Sequence, residues 1–168
     1  MFPYKLTLIL TAAEVFYYAI IAISKLRKQH YNMDDTPSTK TILLVDDDQF
    51  ITIAYKTGLE QAGYKVIVAQ DGEEGVQHMV DHMPDLVLLD IIMPKMDGFE
   101  VLQSVKATPE LAHIPIIIFT NLSQTSDRDA ALNYGAADFL TKANVSLTDI
   151  LLRLEQLLDP GFDPNLPR

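Results

Sequence analysis

Short apolar runs alternate with segments of helical periodicity along most of this chain, and this alternation constrains the fold more than any other feature. Five runs have strand character, at residues 41–45, 65–69, 86–89, 114–119 and 137–140. Helical spacing follows each of them, at residues 50–62, 73–82, 97–107, 127–134 and 146–158. Strands that alternate with helices form a parallel sheet, and right-handed crossovers place helices on both of its faces. The sequence therefore predicts an α/β fold with a doubly wound, five-stranded parallel sheet.

Two of the predicted helices show recognisable ends. Asp97 and Glu100 have the spacing of a capping box, and Asp48 is predicted to cap the first helix rather than to bind a ligand. In that first helix, the apolar residues with helical spacing are Phe50, Ile51, Ala54 and Leu59, and this spacing predicts that they face inward.

Polar side chains follow several of the predicted strands, at the edge where doubly wound folds bind their ligands. Asp46 and Asp47 follow the first strand and Asp90 follows the third. Thr120 ends the fourth strand and Lys142 comes just after the fifth. The fold is therefore expected to gather several carboxylates, one hydroxyl group and one ammonium group in a single site.

This group of side chains suits one kind of chemistry. Neighbouring carboxylates repel one another, and a divalent cation such as Mg²⁺ removes that repulsion while binding carboxylate, water and phosphate oxygens. A lysine adds positive charge, and a hydroxyl group can donate a hydrogen bond to a phosphoryl oxygen. The site is therefore suited to the transfer of a phosphoryl group to one of its carboxylates, with Mg²⁺ as cofactor.

Four motifs in order along the chain carry a resemblance to a known family. They are LLVDDD at 43–48, LVLLDIIMPKMDGFE at 86–100, IIIFTN at 116–121 and GAADFLTK at 135–142. Over residues 41–158 the chain resembles the receiver domain of two-component response regulators, of the stand-alone, chemotaxis-regulator-like kind. The resemblance implies a flavodoxin-like (βα)5 fold. It also implies a switch rather than an enzyme, phosphorylated by a histidine kinase or phosphotransfer protein and acting on a downstream protein that the sequence does not identify.

The resemblance assigns roles to the residues of the site. Asp90 resembles the phosphoacceptor and a metal ligand, and Asp47 resembles the acid that binds the metal directly. Asp46 would hold metal-bound water, and the backbone carbonyl of Ile92 would be a further ligand.

Three more residues match the part of the family motif that responds to phosphorylation. Thr120 resembles the switch hydroxyl, and Lys142 resembles the lysine that pairs with the phosphoryl group. Phe139 resembles the aromatic residue that moves inward when that hydroxyl is drawn to the phosphate.

The chain departs from the family pattern at two places. Ala143 follows Lys142 where the family usually has proline, so we expect a trans peptide bond there and a lysine loop that the resemblance does not define. Ile92 and Leu122 stand two residues beyond Asp90 and Thr120, where the family often has polar side chains. Since apolar side chains cannot hydrogen-bond an attacking water, we hypothesise a long-lived phosphoryl group.

Composition excludes several other classes of site. There is no cysteine, which excludes disulfides and thiolate chemistry, and the net charge of −10 argues against a nucleic-acid-binding surface. Because few residues follow 158, output is expected through protein–protein contact. His78 and His82 lie four residues apart on one predicted helix, but they share a polar face and lack the HExxH pattern, so a solvated face is expected.

The chain ends differ in character from the predicted receiver domain. Residues 1–32 carry four Lys or Arg and one Glu, and residues 6–23 are mostly apolar. Three interpretations stay open: a membrane anchor that leaves the rest of the chain in the cytoplasm, an extension that is not native, or a soluble amphipathic helix. Residues 33–40 are predicted to be a linker and 159–168 a disordered tail.

Two alternative functions compete with the switch. Phosphatases of the haloacid-dehalogenase type also use an aspartyl phosphate, but their nucleophile follows the first strand and a further acidic pair follows the lysine. Here the central acid follows the third strand, and the nearest acid after Lys142 is Asp149, inside a predicted helix. The second alternative is a receiver that signals without phosphate, which the complete set of site residues disfavours.

Overall fold

The computed structural model describes residues 39–158. Five parallel strands form one sheet, namely β1 (Thr41–Val45), β2 (Lys65–Ala69), β3 (Leu86–Leu89), β4 (Ile116–Thr120) and β5 (Asp138–Thr141). Within this part of the chain the α-helices are α1 (Gln49–Gln61), α2 (Gly72–His82), α3 (Gly98–Ala107), α4 (Thr125–Asn133) and α5 (Leu147–Leu158). A single 3₁₀ turn, Lys142–Asn144, follows β5. The predicted α/β class and the five-stranded doubly wound sheet are confirmed.

The strand order is β2-β1-β3-β4-β5, so the chain reverses its direction of travel across the sheet between β1 and β3. These two strands are hydrogen-bonded in parallel, with Val45 opposite Leu89. The pairing continues one residue further, because the N–H of Asp90 donates to the carbonyl of Val45 over 2.9 Å. This reversal is the point where such folds bind ligands, and the ends of β1 and β3 place Asp46 and Asp90 there.

The core lies on both faces of the sheet. Side chains alternate along each strand, so Leu43 and Val45 of β1 face one cluster and Ile42 and Leu44 face the other. The first cluster receives the apolar side chains of α2, α3 and α4, and the second receives those of α1 and α5. All four residues of β3 are buried, as expected for a central strand covered on both faces.

The first helix differs from the prediction in which residues it buries. Phe50 was expected to face inward, but its side chain is 87% exposed. Thr52 takes the inward place, and its hydroxyl donates to the carbonyl of Gln49 over 3.0 Å. Leu59 shares the face of Thr52, whereas Phe50 lies about 200° around the helix from Thr52. Asp48 does cap this helix, accepting the N–H groups of Phe50 and Ile51.

Several element ends shift by one or two residues from their predicted positions. β4 begins at Ile116 rather than at residue 114, since Pro115 has no N–H to give to a neighbouring strand. α4 begins at Thr125 rather than at residue 127, and its capping residue Gln124 makes no side-chain hydrogen bond that would have marked the start. The Asp97–Glu100 capping box is present as predicted.

The predictions for the chain ends fall largely outside the described residues. Residues 1–32, with the apolar run 6–23, most of the linker 33–40 and the tail 159–168 are in this group. Within residues 39–158, none of the helices combines the length and the apolar character needed to cross a bilayer.

Candidate functional site

Three carboxylates meet at the carboxyl ends of β1 and β3. One oxygen from each of Asp46, Asp47 and Asp90 lies within 4.8 Å of the others. Asp46 and Asp90 are buried, with 1% and 7% of their surfaces exposed, whereas Asp47 is exposed. The site therefore has two buried carboxylates and a third carboxylate that is exposed to solvent.

Lys142 lies between the two buried acids. Its Nζ is 2.6 Å from Asp46 Oδ2 and 2.6 Å from Asp90 Oδ2. Burial by itself lowers the pKa of the Lys142 ammonium, but the hydrogen bonds and negative charges of the two acids together raise it above the ordinary value of 10.5. Burial raises the pKa of the Asp46 carboxyl although Lys142 acts in the opposite direction. The lysine is thus held as a cation by the acids that it neutralises.

Ala143 does not displace Lys142 from the site. The peptide bonds of the described residues are all trans, as predicted for the bond that follows Lys142. Lys142 begins the 3₁₀ turn after β5, and its Nζ lies 5.6 Å from the centre of the Phe119 ring. Tyr55 of α1 packs edge-on against the same ring, with centroids 4.8 Å apart. Two acids and an aromatic face therefore aim this lysine in the absence of a proline.

Phe119 and Tyr55 are contributions that the sequence patterns did not predict. The sequence does place Phe119 near the site, because this residue directly precedes Thr120 at the end of β4. Its side chain points to the opposite face of the sheet from that of Thr120. Nothing in the sequence pairs Tyr55 with that ring, because the two residues are 64 positions apart and meet only through the packing of α1 on β4.

Asp90 is held by its own loop as well as by Lys142. Its Oδ1 accepts the N–H groups of Ile91 at 2.6 Å and Ile92 at 3.3 Å. The N–H of Gly98 donates to the carbonyl of Ile91 over 2.9 Å, which closes the loop from the far end. A Cβ at position 98 would lie 2.2 Å from the carbonyl oxygen of Asp90, so only glycine fits there.

Replacing Gly98 is expected to disturb the acceptor loop and the fold together. Gly98→Ala places a methyl group against backbone that cannot move aside, and overpacking of this kind costs about 1–3 kcal/mol of unfolding free energy. Urea denaturation would measure the loss. Gly63→Ala is the matched control, because Gly63 has φ +96° but a methyl group added there would meet no atom within 4 Å, so only backbone strain is added. Equal losses in the two variants would contradict the proposed clash.

Thr120 and Phe139 lie on adjacent strands next to the site. Thr120 is fully buried at the end of β4, and its Oγ1 accepts the N–H of Leu122 over 3.4 Å. The Phe139 ring is 4% exposed and belongs to the core cluster shared with α2, α3 and α4. The ring is therefore inward in this structure, and its movement stays a prediction.

The donor set fits Mg²⁺. Three carboxylates and one ammonium leave an excess of negative charge, which a divalent cation would neutralise, and oxygen is the ligand that Mg²⁺ prefers. The exposed Asp47 leaves room for water on the open side. Among the described residues, these three acids are the one group of three or more potential metal ligands close enough to share an ion, and His78 and His82 belong to no such group.

The fold and the acid cluster agree with a known protein family. The sequence profile described as the response regulator receiver domain matches residues 42–155. The chain belongs to this family. Receiver domains are the signalling switches of two-component systems, they take phosphoryl groups from histidine kinases, and they typically bind Mg²⁺ at an acidic pocket. No finding supports the haloacid-dehalogenase alternative.

Relatives of this receiver domain include larger regulators. The chain is 39% identical over 117 residues to the DNA-binding dual master transcriptional regulator RpaA of Synechocystis, which covers 70% of this chain and 48% of RpaA. It is 36% identical over 129 residues to the response regulator MprA of Mycobacterium sp. strain KMS, covering 75% of this chain and 55% of MprA. The chain thus spans about half the length of the curated relatives that it matches.

Solved structures give the same fold. A CheY-like response regulator receiver domain protein from Methanospirillum hungatei matches with a TM-score of 0.68 and 32% identity, over 73% of this chain and 95% of that one. The BeF3-activated receiver domain of Klebsiella pneumoniae RstA matches with a TM-score of 0.67 and 27% identity, over 71% of this chain and 98% of that one.

Proposed function

We propose that Asp90 is the phosphoacceptor and that the domain is switched by the phosphoryl group it receives from a histidine kinase or phosphotransfer protein. The observation that carries this proposal is the 2.6 Å contact of Asp90 with a lysine that also neutralises Asp46. In the proposed step a carboxylate oxygen of Asp90 bonds to phosphorus. The phosphorus–nitrogen bond of the donor breaks, and the imidazole keeps its electron pair and takes up a proton.

The other residues of the site would prepare this step. Asp46, Asp47, Asp90 and the Ile92 carbonyl would hold Mg²⁺, which when bound supplies positive charge for the phosphoryl oxygens. The Lys142 ammonium would give up its contact with Asp90 Oδ2 and pair with a phosphoryl oxygen. The Thr120 hydroxyl would donate to another.

We propose that the output follows from this last hydrogen bond. Drawing Thr120 towards the phosphoryl group would leave space beside β4. The side chain of Phe139, on the neighbouring strand β5, would move into that space. Arg128 of α4 donates to the Phe139 carbonyl over 3.0 Å, so a shift of this strand would reach α4 directly. The face formed by α4, β5 and α5 would then bind a downstream protein, with no contact to nucleic acid from this domain.

We place these events in the cytoplasm. The support is the charge pattern near the start of the chain, where Lys25, Arg27 and Lys28 follow the apolar run 6–23. Sequencing the amino terminus of the protein from its native source would test whether that run is part of it.

Labelling with a small phosphodonor tests the proposed function. The full chain incubated with acetyl phosphate and Mg²⁺ is expected to gain about 80 Da, the mass of one PO₃H, and EDTA is expected to prevent the gain. Intact-mass spectrometry measures both. A chain that stays unlabelled with Mg²⁺ present would point to the phosphate-independent receiver instead.

The side chain of Ile92 leads to a prediction about the lifetime of the phosphoryl group. This side chain is 60% exposed next to the acceptor and cannot orient an attacking water. Ile92→Asn adds a hydrogen-bonding group there. A hydrogen bond of about 1.4 kcal/mol in the transition state of hydrolysis shortens the lifetime about tenfold.

Decay of the mass adduct after removal of the donor measures this lifetime. Val80→Asn is the control, because Val80 is a half-exposed apolar residue on α2 away from the acceptor loop. A lifetime that is short in the wild type, and unchanged in Ile92→Asn, would refute the hypothesis of a long-lived phosphoryl group.

A further inference from the structure

The loop between β3 and α3 is tied to the start of α2 by an ion pair outside the acid cluster. Lys95 Nζ lies 2.5 Å from Asp71 Oδ2, and Asp71 is 8% exposed. The other oxygen, Asp71 Oδ1, accepts the N–H of Glu74 and so caps α2. Both oxygens of Asp71 are thus in use, one for its own helix and one for the acceptor loop.

Lys95 has a backbone conformation that needs such support. Its φ is +66°, in the left-handed region that residues other than glycine disfavour. The loop turns sharply around it, with the N–H of Met96 donating to the carbonyl of Pro94 over 2.8 Å. A hydrogen-bonded charge on the side chain can hold a residue in this conformation.

Gly72 brings the start of α2 against the same loop. A Cβ at position 72 would lie 2.3 Å from the carbonyl oxygen of Met96, so the two backbones are in direct contact. Two residues after Met96, Gly98 packs against the backbone of Asp90, so the same part of the loop also contacts the acceptor. The loop is therefore fixed between the acceptor itself and the Asp71–Gly72 turn.

We propose that Asp71 and Lys95 are positioning residues for the metal site. Their ion pair holds residues 91–97 in the conformation in which the carbonyl of Ile92 is available to Mg²⁺. The proposal rests on the proposed function, because it takes the Ile92 carbonyl as a ligand. Neither residue belongs to the acid cluster, and neither is expected to touch the phosphoryl group.

The sign of the effect separates positioning from simple electrostatics. Lys95→Gln removes a positive charge from the surroundings of a cation site, which on Coulombic grounds alone strengthens Mg²⁺ binding or leaves it unchanged. If Lys95 positions the loop, the same change weakens binding. Supporting contacts around metal ligands contribute about tenfold in affinity, so we expect the Kd for Mg²⁺ to rise about tenfold.

NMR titration of the ¹⁵N-labelled full chain with Mg²⁺ measures this Kd from the amide shifts of Ile91, Ile92 and Gly98. The rate of labelling by acetyl phosphate at saturating Mg²⁺ is expected to change less than about twofold, since the reacting groups are intact. Hydrogen exchange of the Gly98 amide without Mg²⁺ is expected to become faster. Lys95→Arg, which keeps the ion pair, is expected to restore the wild-type Kd.

Lys40→Gln is the matched control. Lys40 forms an ion pair of 2.8 Å with Asp85, is exposed to a similar extent, and lies at the amino end of β1, opposite the site. It should leave the Kd unchanged. A Kd for Lys95→Gln at or below the wild-type value would overturn the proposal while leaving the proposed function intact. Absence of Mg²⁺-dependent shifts in the wild type would overturn both.

Discussion

Asp90→Asn is expected to abolish the gain of about 80 Da that acetyl phosphate and Mg²⁺ produce in the wild type. The amide is a very poor nucleophile, so labelling should slow by at least about 100-fold. The fold should persist, because the side-chain oxygen of Asn can still accept the N–H groups of Ile91 and Ile92. Lys142 would keep its contact with Asp46. Intact-mass spectrometry follows the adduct and circular dichroism checks the fold.

Asp85→Asn is the control for this variant. Asp85 is an acid next to β3 like Asp90, but it precedes the strand and pairs with Lys40. It should be labelled as fast as the wild type. Labelling of Asp90→Asn at the wild-type rate would mean that another acid, such as Asp46 or Asp47, is the acceptor.

Lys142→Met is expected to have the second largest effect, on stability as well as on labelling. The change leaves Asp46 and Asp90 buried without the cation that lies 2.6 Å from both. Removing one partner of a buried ion pair costs about 3–5 kcal/mol, a large part of the stability of a domain of this size. Urea denaturation in EDTA measures the loss, and added Mg²⁺ should restore part of it. Labelling should slow about 100-fold, as when other charge-stabilising groups are removed.

The loss of stability in Lys142→Met should depend on pH in a defined direction. Burial raises the pKa of Asp46 in the wild type and Lys142 opposes that rise, so the pKa rises further in the variant. A carboxyl with a raised pKa keeps its proton in the folded state after the unfolded chain has released it. Stability is then greatest below the ordinary pKa and falls as pH rises through the raised one. The deficit relative to the wild type should therefore be larger at about pH 7 than at about pH 4.

Lys40→Met is the control for both measurements. Lys40 is half-exposed in its ion pair with Asp85, and exposed pairs contribute less than about 1 kcal/mol. It should cause a small loss and no slowing of labelling. A deficit for Lys142→Met that is equally small, or that grows towards acid pH, would contradict the buried-pair interpretation.

The sequence predicted the sheet because its signals are local. β1, β2 and β3 have the predicted bounds, since each is a short apolar run between polar residues. The positions of Asp46, Asp90 and Lys142 followed from the same pattern, because parallel strands bring their carboxyl ends to one edge. These are consequences of periodicity and topology.

The contacts that the sequence did not predict are long-range. Lys95 and Asp71 meet because two loops on the same edge touch, and no local pattern marks a lysine in that loop as paired. The inward place of Thr52 was missed because apolar spacing favoured Phe50, whereas a hydroxyl bonded within the helix can be buried at little cost. Sequence patterns identify which faces are apolar, but not which individual side chains pair across the packed elements.

Reductive trapping of the labelled residue tests the central claim most directly. Borohydride converts an aspartyl phosphate to homoserine, which marks the acceptor position permanently for peptide sequencing by mass spectrometry. For the wild-type full chain labelled with acetyl phosphate and Mg²⁺, homoserine is expected at position 90 and at no other acid. Homoserine at position 46 or 47, with aspartate retained at position 90, would contradict the assignment of Asp90 as the phosphoacceptor.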